Sequence, residues 1–176
     1  MTVTYALGAE MLLLAGIASS VQDAMAMQRD AIASGRAAER FRQVVEAQGG
    51  NPSVVDDPAV LPQAGECEIY RAPRRGFVAR VEPRAVGRGV VALGGGRETL
   101  DAELDPAAGF VITARPGAWV EAGEPLATVF AADALGVAAG RAALRAAITI
   151  ADEADPPLPL ISHRVSAAGV ETLASE

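Results

Sequence analysis

The sequence predicts an α+β chain whose organisation changes partway along, and three observations carry that reading. Helical spacing of apolar residues fills the first third. A Pro-rich crossing interrupts it, and beyond the crossing alternation takes over between turns marked by Gly and Pro. Residues 1–50 are accordingly expected to form about three helices, 51–65 a linker, and 66–176 a domain of antiparallel strands with flanking helices. Composition permits this: 51% hydrophobic and 21% charged residues over 176 positions describe a folding chain of one or two compact domains.

The first helix is read from Leu7, Met11, Leu14 and Ala18; Leu12 and Leu13 make it apolar nearly all round, so it needs burial on several sides. Ser20 starts the second, with Asp23 three residues on in a capping-box-like arrangement. Val21, Met25, Gln28 and Ile32 share its face, and Ser34-Gly35 stops it. The third sets Phe41, Val44, Val45 and Gln48 on one face, Glu39, Arg42 and Glu46 on the other, and ends at Gly49-Gly50. Pro52, Pro58 and Pro62 with Asp56-Asp57 mark the linker.

Cys67 to Ala72 and Phe77 to Val81 then alternate as strands about the turn Pro73-Arg74-Arg75-Gly76. Pro83 to Leu93 reads as a short helix ending in Gly94-Gly95-Gly96-Arg97. Phe110 to Ala114, Trp119 to Glu121 and Leu126 to Phe130 follow as strands, joined by Pro116-Gly117 and Gly123-Glu124-Pro125. Asp133 caps a helix expected to run to about Ala151, with Val137, Leu144 and Ile148 on one stripe, and Pro156, Pro157 and Pro159 stop it. Leu160 to Val165 is expected as a last strand, and the tail from Ser166 is expected to fray. Three helices, one apolar all round, cannot cover themselves. The helical piece is therefore expected to dock onto something larger, and bare Leu7, Met11 and Leu14 to drive self-association.

Charge excludes several function classes. A net charge of −7 leaves no dense basic face for nucleic acid. All 15 cations are arginine. Without lysine there is no Schiff-base chemistry, no phosphate-loop lysine, and no attachment point for biotin or lipoate. Cys67, alone, forms neither an internal disulfide nor a thiolate cluster, a usage that suits a reducing cytosol. The longest apolar stretch, Met11 to Ala18, is about half of what spans a bilayer, and no cationic segment precedes it. Neither a membrane span nor a secretory signal is expected, and the chain reads as cytoplasmic.

Gly94, Gly95, Gly96 and Arg97 form the one candidate site. Backbone N–H groups and a guanidinium could converge there on an anion. The other reading is a helix C-terminus whose glycines turn left-handed, with Arg97 pairing Glu98, Asp101 or a neighbouring domain. The second is favoured because the motif follows a predicted helix, and an anion prefers the opposite end. His163, the sole imidazole, has no carboxylate or nucleophile near it in sequence and reads as an edge-strand residue. Glu66 and Glu68 disfavour a Cys67 thiolate. Arg71, Arg74, Arg75, Arg80, Arg84 and Arg88 read as a solvated, paired patch, Asp56-Asp57-Pro58 as a capped turn, and Trp119 as a core or interdomain contact. No catalytic residue, metal site or cofactor is expected.

Several motifs in order resemble the thymidine and pyrimidine-nucleoside phosphorylases. Ala47-Gln48-Gly49-Gly50, Val54-Val55-Asp56-Asp57-Pro58 and Leu61-Pro62-Gln63-Ala64 carry the resemblance. Upstream it includes Leu7-Gly8-Ala9-Glu10-Met11, Leu14-Ala15-Gly16 and the stretch from Ser34-Gly35-Arg36 to Phe41. Downstream it takes in Gly76-Phe77-Val78, Leu93-Gly94-Gly95-Gly96-Arg97 and the stretch from Gly117 to Leu126. The resemblance extends to about His163. It implies phosphorolysis, in which phosphate attacks C1′ of a pyrimidine nucleoside and the base leaves.

The family's lysine- and serine-rich phosphate segment, its Arg-Ser-Lys clamp on the base, its histidine and its potassium loop do not occur here. The resemblance therefore implies the carboxy-terminal part of such a glycosyltransferase, without its chemistry and inactive alone. Its partners would be the missing amino-terminal catalytic half and a second copy in a homo-oligomer, with phosphate and nucleoside bound only in the complete enzyme. The second half would be a barrel-sandwich-like antiparallel β domain, shaped like biotinyl and lipoyl carriers. Gly117 and Gly123 would make its tight turns, and Val120 and Leu126 would point inward. The alternative is a stand-alone barrel-sandwich module that binds a ligand or anion reversibly.

Overall fold

The computed structural model describes residues 1–97, 99–156 and 158–173. The chain forms two compact units, one from Met1–Leu61 with the segment from Leu158 onward, the other from Pro62–Pro157. The mixed α+β class predicted from sequence is found. Among the described residues no helix is long and apolar enough to cross a membrane.

The first unit holds helices α1 (Thr2–Leu14), α2 (Val21–Ala33) and α3 (Arg36–Ala47) and two 3-10 turns, Pro52–Val55 and Pro58–Val60. At the start of α2 the Ser20 hydroxyl accepts from the Asp23 N–H at 3.0 Å, as its sequence position implies. The hydroxyls of Ser19 and Ser20 also hold the Asp23 carboxyl below the usual carboxylate range. Gln28 fastens α1 to α2 by donating to the carbonyls of Tyr5, at 3.1 Å, and Ala24, at 3.2 Å. Arg29 lies over the Tyr5 ring, 5.4 Å from its centre. Arg42, on the helix face read as solvated, is half-buried and ion-paired with Asp56 at 3.0 Å, while Phe41 and Val44 on the apolar face are exposed.

The expected last strand is displaced. His163–Ser166 (here β7) pairs with Gly169–Thr172 (β8) in an antiparallel hairpin, so the segment from Ser166 does not simply fray. Gly169 takes a positive φ of 130° beyond Ala167-Ala168, which lets the chain reverse, and the Leu173 N–H returns to Ser162 O at 2.9 Å.

The second unit contains β1 (Glu66–Arg71), β2 (Gly76–Val81), α4 (Pro83–Ala92), β3 (Gly109–Ile112), β4 (Trp119–Val120), β5 (Pro125–Ala131), α5 (Ala134–Ala147) and β6 (Ile148–Ala151). The strands form two three-stranded antiparallel sheets, ordered β1-β5-β3 and β4-β2-β6. No strand ladder joins them into a closed barrel among the described residues. Backbone bonds also connect the turns: Ala72 exchanges hydrogen bonds with Gly123 and Glu124, and Val78 with Gly117 and Ala118, all within 2.8–2.9 Å. Gly117 and Gly123 both have φ of 84°, and Val120 and Leu126 are buried, as read from the sequence.

Helix α5 stops four residues short of its expected end. Ile148, Thr149 and Ile150 are β-branched and suit a strand. They pair with Val81, Arg80 and Val78 of β2, and the Ala147 carbonyl accepts from the Glu82 N–H at 2.9 Å. Asp133 caps the other end, accepting from the Gly136 N–H at 2.8 Å.

The core of this unit is built from small residues. Leu126, Leu144, Val78 and Val129 are its largest fully enclosed side chains. Glycines bring the helices down onto it: a Cβ on Gly140 would lie 2.5 Å from Val129 Cγ1 and 3.2 Å from both Leu93 Cδ2 and Phe110 Cε1. One on Gly89 would lie 2.7 Å from Ala143 Cβ and 3.0 Å from the Phe110 ring. Gly87, on the exposed side of α4, has no neighbour within 4 Å of such an atom.

Two alanine substitutions should therefore act in opposite directions. Gly87→Ala gains helix propensity and should stabilise by about 0.5–1 kcal/mol. Gly140→Ala makes the same gain but must displace β5 or Phe110, and overpacking of this kind costs about 1–3 kcal/mol. Urea unfolding should show a higher midpoint for Gly87→Ala and a lower one for Gly140→Ala.

Candidate functional site

The candidate Gly94-Gly95-Gly96-Arg97 lies at the carboxyl end of α4. Leu93 caps the helix, Gly94 turns left-handed with φ of 87°, and two bonds close the end. The Gly94 N–H donates to Val91 O and the Gly95 N–H to Val90 O, both at 3.0 Å. This is the paired hydrogen bonding of a Schellman stop. Two of the N–H groups that an anion cradle would need are thus directed into the helix. The turn is further tied by the Asp105 N–H, which donates to Gly94 O at 2.9 Å. A Cβ on Gly95 or Gly96 would press on Val90 or Val91, so those glycines serve close packing. Arg97 is exposed, and Glu98, one of its expected partners beside Asp101 and a neighbouring domain, lies outside the described residues.

The other singled-out residues are dispersed. His163 is exposed at the start of β7, across from Thr172. Cys67 is exposed in β1 and lines an open groove of about 280 Å³ with Glu66, Glu68, Ala134, Val137, Ala138 and Arg141. Arg141 stands 3.5 Å from Glu68 across it. No sequence signal marks this groove, because its two sides come from β1 and α5. Ser34, Gly35, Arg36, Glu39, Arg40 and Gln43 line a shallow depression at the start of α3.

Three of the six arginines of the patch are engaged. Arg74 pairs with Asp152 at 2.6 Å and donates to Ile150 O, Arg71 donates to Gly123 O at 3.0 Å, and Arg80 pairs with Glu82. Asp57 caps the turn Pro58–Val60 by accepting from the Ala59 N–H at 3.0 Å. Among the described residues no three His, Cys, Asp or Glu side chains cluster to hold a metal ion. Trp119 is half exposed, meets Phe77 edge-on at 5.0 Å, and donates to Glu121 at 2.8 Å.

Residues 77–151, from β2 through β6, match the pyrimidine nucleoside phosphorylase C-terminal domain family. Over a longer span the chain is 41% identical to the thymidine phosphorylase of Burkholderia cenocepacia, across 164 residues that are 93% of this chain and 37% of that protein. It is 37% identical over 125 residues to the pyrimidine-nucleoside phosphorylase of Bacillus subtilis, covering 71% of this chain and 29% of that one. The Geobacillus stearothermophilus pyrimidine-nucleoside phosphorylase is 40% identical over 124 residues, covering 70% and 29%. The chain is thus similar to the carboxy-terminal portion of the thymidine and pyrimidine-nucleoside phosphorylases, and spans about a third of the length of the curated relatives it matches.

The Schellman bonds direct a test at the glycine turn. Inorganic phosphate should shift the thermal midpoint of the wild-type chain and of Arg97→Ala equally. A phosphate-dependent rise that Arg97→Ala abolishes would restore the anion-cradle reading.

Proposed function

We propose that this chain is the supporting carboxy-terminal body of a pyrimidine-nucleoside phosphorylase, an enzyme that transfers the pentosyl group of a pyrimidine nucleoside to phosphate, and that it carries no turnover alone. The observation behind this reading is the domain match at residues 77–151, in a chain that spans only 29–37% of its relatives. The chemistry points the same way. Phosphorolysis needs preorganised donors around phosphate and base and a site closed to water. This sequence has no lysine and one histidine. The groove at Cys67 is open and lined by two carboxylates, which would repel phosphate.

On this reading residues 66–176 are the family's carboxy-terminal domain with a barrel-sandwich-like pair of sheets, 51–65 a linker, and 1–50 the end of the parent α/β domain. Gly94, Gly95, Gly96 and Arg97 fix the end of α4, with Arg97 turned to an interdomain partner. The complete enzyme would be a cytoplasmic homo-oligomer that binds phosphate and pyrimidine nucleoside through the amino-terminal half.

Release of thymine or uracil from the nucleoside and phosphate is the direct measurement. The 176-residue chain alone should match the buffer blank. The same chain fused behind the portion of the Burkholderia cenocepacia thymidine phosphorylase outside the match should release base. Turnover by the chain alone would overturn the reading.

A further inference from the structure

Helix α1 has two apolar faces, and only one of them is used. On the inner face Ala9 is fully buried, Leu12 and Leu13 are half-buried, and Tyr5 lies beneath Arg29. On the outer face Leu7 is 63%, Met11 71% and Leu14 88% exposed. These three follow helical spacing and form one stripe. Glu10 is the helix's single acidic or basic side chain, and Arg164 of β7 pairs with it at 2.8 Å. The stripe can therefore be desolvated without stranding an unpaired charge.

We infer that the outer face of α1, formed by Leu7, Met11 and Leu14, is the seat of an upstream catalytic segment of the kind carried by the relatives. This rests on the reading of the chain as a carboxy-terminal portion. The length outside the match selects the occupant: this chain accounts for 37% or less of each relative described, so most of each lies beyond the aligned region. A continuous apolar stripe without net charge calls for an apolar surface of comparable length, such as a helix of that segment lying along α1.

Thiol labelling reads out occupancy directly. Leu14→Cys in a Cys67→Ser background is compared in the 176-residue chain and in the fusion to the upstream portion of the Burkholderia cenocepacia enzyme, with base release measured in parallel. The free chain is labelled at a dilution where light scattering reports a monomer. Maleimide labelling should slow by about tenfold or more in the fusion, as expected of a covered site. Met11→Cys repeats the test should Leu14→Cys fail to fold.

Unchanged labelling in an active fusion overturns the seat and leaves the phosphorylase reading standing. Slow labelling in an inactive fusion supports the seat and counts against that reading. Unchanged labelling in an inactive fusion overturns both. A free chain that stays dimeric with its thiol protected at every dilution assigns the face to a second copy, and the inference fails.

Discussion

The second unit depends on how closely α4 and α5 approach the sheet beneath them. Phe110 of β3 inserts between Gly89 and Gly140, and Val129 of β5 rises against Gly140. Any side chain at these two helix positions would lift the helices and open a void around Leu144 and Leu93, both of which are buried. Small residues elsewhere in the core follow from the same closeness. Ala85, Ala127, Ala131 and Ala147 are all buried, and a Cβ on Gly136 would lie 2.8 Å from that of Ala131. With few large side chains in it, this core gains stability from dense packing more than from area, which makes it sensitive to added methyl groups.

Much of this was legible in the sequence because the punctuation is strong. The serine and aspartate caps, the glycine stops and the Pro-Gly turns each fix a local geometry that tertiary packing had no reason to override. Failures occurred where local and long-range preferences competed. The stripe through Val137, Leu144 and Ile148 continues helically on paper, yet Ile148 enters a strand because β2 offers it a partner. Gly169 to Thr172 shows little apolar alternation, and its pairing with His163 to Ser166 makes it a strand. On α3, Glu39 and Glu46 are exposed and Val45 is half-buried, in line with the periodicity, whereas Arg42 departs from it for a related reason. Arg42 is held by Asp56, a residue 14 positions away, and no periodicity argument contains that pair.

The glycine run at 94–96 illustrates how a motif acquires meaning from what precedes it. Backbone N–H groups attract anions when they open a helix, where no carbonyl competes for them. After a helix the last carbonyls lack partners, and nearby N–H groups satisfy those first. The same two-bond closure recurs after α1, where Gly16 and Ile17 return to Leu13 and Leu12, and after α3, where Gly49 and Gly50 return to Glu46 and Val45. Neither of those turns has an adjacent arginine that would suggest an anion. Sharing their hydrogen bonding, the Gly94 turn has the geometry of a helix stop.

The two units differ in how far they satisfy themselves. In the second, β-strand and helix faces meet around an enclosed core that includes Val78, Leu126, Val129 and Leu144. In the first, the buried hydrophobic residues are Ala9 and Ala24, while Leu7, Met11, Leu14, Ile17, Phe41 and Val44 stand in solvent. Alanines contribute little apolar area, so polar groups help hold α1 in place: the Gln28 amide and the Arg29 guanidinium join it to α2, and Arg164 of β7 joins it to the hairpin through Glu10. Such contacts orient helices well but contribute modest net free energy in water. A unit that leaves these larger apolar residues outward and relies on partly exposed polar contacts is poorly explained as an independent one. It is well explained as one surface of a larger core, with the polar anchors presetting the angle at which that surface is presented.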